Sequence, residues 1–479
     1  MTAQAKKKNW VFIIGILLLS VGMQFANYGS AICMSGDATK LNAMQYYVLI
    51  SAFGTLGMML ILPIIGKLTA IMGMRKLIIV GIIIQTGGRF IMMFATNWVI
   101  YAIGVLVQAI GGGFYISSAY VNMASAVDRS ETAKFFGYIA VANSIGALMG
   151  PLAVSFLYEA GGILTKLALV AYLPFTLVGL LLMLKDCPNE RTAQTGDKFD
   201  YLGLVLMVVG VGLIVIWMNL AGKMFAWLSV PSIILAVVSI GSIIWMLKRE
   251  SSIQNPAVPV LMFKNARLTY AFIGALVLSA YATCSGSYCV MWIRMNYQSF
   301  PAAAFFNGTA AMAQNIAIFI LGLFLGGYIG RKFAKRFRGF GIAAMAACML
   351  ATAILYCLKF TGTAAEGNIL TLGSSFPLGM LLIYVATAIG GFASTISQST
   401  FSAYWQSNTP SEDIPSGQAL YNFGATGGSC IFSAVVGVVL GSSVDYSKAF
   451  ATGFVFALVG LICAIIGFKF TKEEIQACE

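Results

Sequence analysis

Apolar positions in this chain come in long blocks, with polar positions confined to short breaks between them. Fourteen blocks of about 20 apolar residues fall at 10–34, 45–66, 77–97, 99–121, 135–158, 164–184, 201–221, 226–247, 268–292, 303–329, 339–359, 376–399, 418–441 and 449–469. Each has the length needed to cross a bilayer core. Backbone polar groups must pair internally in lipid, and the blocks are too long for barrel strands, so each is expected to be a helix. The pattern predicts an all-α polytopic membrane protein. A six-helix bundle (1–185) leads through a cytoplasmic linker (186–200) to two extra helices (201–247). A second six-helix bundle (248–470) and a short tail (471–479) follow. Two similar halves around an added pair is a transporter-like layout.

Composition agrees. Hydrophobic residues make up 59% of the chain and charged residues 9%, against about 25% charged in soluble domains. The first block follows Lys6, Lys7 and Lys8, but it is too long for a signal peptide and no cleavage site follows, so it reads as a spanning helix. The net charge of +13 sits in short loops and gives no reason to expect nucleic acid. With the N-terminus inside, the inner segments carry 22 Lys and Arg and the outer segments 6. This asymmetry predicts a multi-pass protein of the cell membrane with both termini cytoplasmic. Nine scattered cysteines without a CxxC pair, and no histidine, give no metal site, disulfide framework or cofactor to expect.

Two strings carry a family resemblance. Gly66-Lys67-Leu68-Thr69-Ala70-Ile71-Met72-Gly73-Met74-Arg75-Lys76 lies between the second and third blocks, and a similar glycine-then-basic turn recurs at 326–338. Gly146-Ala147-Leu148-Met149-Gly150-Pro151 lies in the fifth block. Glycines four apart share a helix face and admit a neighbouring backbone, and Pro151 removes an amide. With Gln108 and Gly111 to Gly113 in the fourth block, the layout resembles the major facilitator superfamily, in its 14-helix drug:proton antiporter branch. The resemblance implies an inner gate at Gly66, Gly73, Arg75 and Lys76, and a hinge at Gly146, Gly150 and Pro151. It also implies proton-driven export of drugs or metabolites.

Several positions depart from that family. Ala70 stands where the loop motif has an aspartate and Val105 where the fourth helix has an arginine. The first helix reads Gln24-Phe25-Ala26-Asn27-Tyr28 where this branch carries an acid. None of the 16 acidic residues falls well inside a predicted span; Asp37 and Glu159 come nearest, at outer helix ends. Proton relays generally use intramembrane acids or histidines.

Arg89 is the one basic residue well inside a span. It costs a few kcal/mol in lipid and is expected to face the interior. It either attracts an anionic substrate, snorkels outward, ties its helix to a neighbour's carbonyls, or replaces the missing arginine. Gln24, Asn27, Tyr28, Gln85, Gln108, Asn143, Gln314, Asn315, Gln398 and Asn422 complete a candidate substrate cavity. The basic run 331–338 reads as a topology determinant or a lipid-headgroup contact.

These observations predict a monomeric secondary transporter that moves an amphipathic small organic molecule (a drug, a bile-acid-like or other organic anion) by alternating access. The alternative is a proton-coupled efflux antiporter for cationic or neutral compounds, followed by a uniporter, channel or transport-like sensor. An enzyme would need convergent acids, histidines or metal ligands that the spans lack. No GxxxxGK loop supports direct ATP use.

Overall fold

The computed structural model describes residues 9–127, 132–187, 200–221, 224–253, 260–300, 302–324, 337–373, 376–407, 414–440 and 445–470. The first half contains α1 (Trp10–Lys40), α2 (Tyr47–Met72), α3 (Met74–Met93), α4 (Trp98–Ala126) and α5 (Thr132–Glu159). It ends with α6 (Gly162–Leu167) and α7 (Leu173–Met183), joined across a 3₁₀ turn at Ala168–Val170. Next come α8 (Tyr201–Leu220) and α9 (Val230–Glu250). The second half starts with α10 (Ala266–Thr283), which runs through a π-turn at Cys284–Tyr288 into α11 (Cys289–Asn296). It continues with α12 (Ala303–Phe324), α13 (Phe337–Tyr356), α14 (Leu378–Ser407), α15 (Ile414–Leu440) and α16 (Ser447–Phe470).

Every predicted apolar block lies on one of these helices or broken helices, over the residues described. Eleven helical segments are long and apolar enough to cross a membrane, and Trp98–Phe114 and Leu378–Ser394 are shorter apolar stretches. Large apolar side chains such as Ile83, Phe94, Phe156, Leu181 and Val237 point outward. Outward-facing residues of this kind suit a lipid surround, which demands no polar partners.

The boundaries depart from the expectations in three places. The predicted loop after Gly66 is helical: α2 continues to Met72 and α3 starts at Met74, so Gly73 alone makes the corner. Its φ of 81° lies in the left-handed region that glycine occupies without penalty. The polar stretch Asp37-Ala38-Thr39-Lys40 is the last turn of α1, beyond the block expected to end at residue 34, while Glu159 closes α5 at the helix end expected for it. Phe376 and Pro377 pair with Thr371 and Leu372 in a two-stranded antiparallel ribbon, so α14 starts two residues later than expected. The second glycine-basic turn and most of the basic run lie at 325–336, outside the described residues, as does most of the expected linker.

Polar caps fix several helix starts. The Asn9 side chain accepts from the Phe12 amide at 3.3 Å and donates to Asp186 at 2.8 Å, tying the start of α1 to the exit of α7. Asn97 caps α4 at the Ile100 amide (2.9 Å), and Asp200 caps α8 at the Gly203 amide (3.1 Å). Such caps are worth about 1 kcal/mol each.

Two seams join the halves, α2 against α15 and α5 against α12. The α8 helix leans on both α2 and α15, with Val215 packed beside Leu56, Met59 and Cys430. Only 17% of the apolar window of α9 is buried, which makes it the outermost of the described spans.

The cores differ between the two ends of the bundle. At the end carrying Lys40 and Glu159, one continuous core takes Ile32, Tyr47 and Tyr158 from the first half and Tyr288, Trp292, Phe432 and Tyr446 from the second. At the end where α1 starts and α16 stops, the cores are separate. Phe12, Leu62, Ile65, Ile78, Met123 and Phe135 belong to one. Leu268, Met345, Trp405 and Leu420 belong to the other. Phe423 on α15 touches both.

Candidate transport pathway

Helix irregularities decide where polar chemistry sits in this bundle. A broken ladder frees a carbonyl, and a carbonyl in lipid must find another donor. Three carbonyls at such irregularities accept from side chains of other helices.

The first is Ala147 on α5. Its regular partner would be the amide of residue 151, four positions on, and Pro151 has none. Asn315 on α12 donates its Nδ2 to the Ala147 oxygen at 3.5 Å, across the seam between the halves. On either side of this carbonyl, α5 presses onto α1. A methyl group at Gly146 would lie 2.1 Å from the Val21 oxygen, and one at Gly150 would lie 2.6 Å from the Phe25 oxygen. The GxxxGP string therefore does two things: its glycines seat α5 on α1, and its proline frees a carbonyl for the other half.

The second is Leu169, in the turn between α6 and α7. Arg89 donates Nη1 to the Leu169 oxygen at 2.7 Å and Nη2 to the Ala26 oxygen on α1 at 2.7 Å. Its guanidinium also stacks on the Tyr172 ring, 4.7 Å from the centroid. The Tyr172 hydroxyl is 2.9 Å from Thr86 Oγ1, one turn before Arg89. Arg89 is 2% exposed, so it does not snorkel to the surface. A planar fork reaches two carbonyls at once, which a lysine point charge does not.

The third is Ser287, in the π-turn that separates α10 from α11. It accepts from the Tyr47 hydroxyl on α2 at 3.4 Å, again across the halves. Single π-turns interrupt the i→i+4 ladder and often mark functional positions.

The other expected site residues divide by burial. Gln85 and Gln108 are buried where α3 and α4 meet. Methyl groups at Gly88 and Gly111 would lie 2.3 Å and 2.2 Å from the backbone amides of Gln108 and Gln85. The glycines of the fourth block thus serve close packing. Gln314 and Asn315 are buried on α12. Gln24, Asn27, Tyr28 and Asn143 are half-buried on α1 and α5, as is Asn422 on α15. Arg75 is half-buried and Lys76 exposed beside the Gly73 corner. The side chain of Gln398 lies outside the described residues.

A cavity of about 610 Å³ opens at the end where the halves share a core. Its walls come from the ends of α1, α3, α4, α5, α6 and α11, and none of the expected cavity residues lines it. Asp37, Lys40, Tyr158, Glu159, Lys166 and Arg294 do. The Tyr158 hydroxyl donates to Asp37 Oδ1 at 2.8 Å. Gly36 makes this approach feasible, since a methyl group there would stand 2.2 Å from the Tyr158 oxygen. Lys40 lies over the Tyr158 ring at 4.3 Å, Arg294 over the same ring at 5.9 Å, and Lys166 over Phe94 at 5.3 Å. Sequence reasoning singled out Asp37 and Glu159 but passed over Lys40, Tyr158, Lys166 and Arg294, which sit at helix ends, where charge is ordinary.

Comparison with known proteins agrees with this architecture. The sequence profile described as Major Facilitator Superfamily matches residues 12–380. The multidrug transporter protein MdtP of Bacillus subtilis (strain 168) is 26% identical over 211 residues, which is 44% of this chain and 38% of that protein. Multidrug resistance protein 3 of the same organism is 22% identical over 336 residues, 70% of this chain and 64% of the relative. The matches therefore span roughly two fifths to two thirds of these relatives' own lengths. The crystal structure of a peptide transporter, POT, in complex with sulfate shares the fold with a TM-score of 0.68 at 13% identity, covering 95% of this chain and 93% of that one. The profile covers most of the chain, including the helices that hold Arg89, Pro151 and Asn315, and the chain belongs to the Major Facilitator Superfamily.

Proposed function

We propose that this protein is a secondary transporter that moves a small amphipathic organic molecule across the cell membrane by alternating access. Fourteen helical spans form two six-helix halves around the α8–α9 pair, with both termini cytoplasmic. The observation that carries this reading is the contrast between the two ends: one shared core at one end and two separate cores at the other. Two rigid bodies that part at one end and join at the other are what a rocking carrier requires. With the termini inside, the joined end faces outward and the parted end faces the cytoplasm.

The test is transport by the purified protein in liposomes, measured with cationic, neutral and anionic fluorescent amphiphiles. Saturable, protein-dependent movement of at least one probe is expected. Flux that rises linearly without saturation would point to a channel instead.

A second reading, proton-coupled efflux of cationic or neutral drugs, is favoured by the names of the Bacillus relatives. An imposed pH gradient tests this second reading, since collapsing it abolishes accumulation of cationic or neutral probes by a proton-driven antiporter.

A further inference from the structure

We infer that the 610 Å³ cavity at the joined end is a binding site for the anionic group of an amphipathic organic ligand. This rests on the carrier reading and adds a substrate class and a place. A cavity of this size is within the usual range for small-molecule sites.

Charge balance in the lining points to an anion. Lys40, Lys166 and Arg294 line the cavity against two acids, Asp37 and Glu159. Among the described residues none of the three cations is within ion-pair distance of a carboxylate. All three are held instead on aromatic faces, two on Tyr158 and one on Phe94. An aromatic face positions a cation without neutralising its charge. Meanwhile the Tyr158 hydroxyl donates to Asp37, so that acid already has a partner. The lining keeps an excess of positive charge beside apolar walls that include Leu41, Met92, Met93 and Leu169. Converging cations next to an apolar wall match a ligand with an anionic head and a hydrophobic body.

The contributors come from both halves. Lys40 and Lys166 belong to α1 and α6, whereas Arg294 belongs to α11. A rocking motion that parts this end carries Arg294 away from the two lysines. The site is therefore complete only while this end is closed, and opening it weakens the hold on the anion.

The test uses the full-length protein in nanodiscs and three probes of one shape: naphthalenesulfonate, the neutral naphthalenesulfonamide and the cationic naphthylmethylammonium. Equilibrium binding is measured for the wild type, Lys166→Gln, Arg294→Gln and the charge-keeping Lys166→Arg. The sulfonate is expected to bind more tightly than either analogue. Each Gln variant should weaken the sulfonate by about fivefold, the size of one partly screened charge contact, and leave the sulfonamide unchanged. Lys166→Arg should retain sulfonate binding. Raising the salt concentration should weaken the sulfonate alone, a readout that needs no variant to fold. Equal binding of the three probes, wild-type sulfonate affinity in both Gln variants, or salt-independent sulfonate binding would overturn the inference. Liposomes that move no probe at all would instead count against the carrier reading, while the binding result would stand.

Discussion

Asn315 on α12 donates to the carbonyl of Ala147 on α5, the carbonyl that Pro151 deprives of its regular amide. The bond joins the two halves at a seam, and its acceptor is free because of a proline four residues away. Asn315 and Pro151 are thereby coupled through a carbonyl that belongs to neither.

That coupling is measurable. Asn315→Ala is expected to lower stability by about 1 kcal/mol, the usual net worth of one hydrogen bond. Pro151→Ala restores an amide to the Ala147 carbonyl, so adding Asn315→Ala in that background should cost much less. A double-mutant cycle on unfolding in detergent reads the difference. Strict additivity of the two changes would reject the coupling.

Glycine packing of α5 on α1 predicts a sharp positional contrast. Gly146→Ala places a methyl group 2.1 Å from a backbone oxygen, whereas Gly87→Ala on α3 meets nothing within 4 Å. Overpacking of this kind costs about 1–3 kcal/mol. Melting of the purified variants should show a clear loss for Gly146→Ala and wild-type behaviour for Gly87→Ala.

Arg89 bonds two carbonyls on two elements, so its removal leaves both without that donor. Arg89→Gln is expected to destabilise the first half by about 3–6 kcal/mol, the sum of two charge-assisted bonds. Arg89→Lys should rescue little, because one ammonium does not reproduce the fork. Limited proteolysis of the two variants compared with wild type checks this; full rescue by lysine would count against it.

The base of α8 and α9 predicts a pH effect. Arg249 bonds both carboxylate oxygens of Asp200, which also caps α8. Desolvation would push the Asp200 carboxyl up, but the Arg249 guanidinium, the Gly203 amide and Glu250 outweigh it and hold the acid below the usual carboxylate value. A depressed acid contributes stability above its unfolded value of about 3.9, and that stability is lost as pH falls through the folded value. Asp200→Asn should therefore cost about 1–3 kcal/mol at neutral pH, between a surface and a fully buried pair. The difference from wild type should vanish in strong acid. A constant difference across pH would contradict this account.

The helices were legible in the sequence because lipid imposes one rule on every span, and the apolar blocks obey it. Their ends were less legible. The first apolar block stops at residue 34, yet α1 runs on through Asp37 to Lys40, and a single glycine replaces the loop expected after Gly66. Arg89 stood out as a lone charge, but its partners are backbone carbonyls, which leave no mark in a sequence. Asn315 was visible as a polar residue, while its pairing with Ala147 depends on how two distant helices meet. The cavity at the joined end escaped notice because its charged residues come from helices as far apart as α1 and α11.

The Gly73 corner has a mechanical consequence. The α2 helix belongs to one seam between the halves, while α3 is packed along α4. A single residue between two helices spans only about 3.5 Å, which leaves no slack. Sliding α2 lengthwise against α15 would drag α3 along α4, whose interlocked glycines resist it. Motion at that seam must then be a tilt about the corner and not a piston stroke.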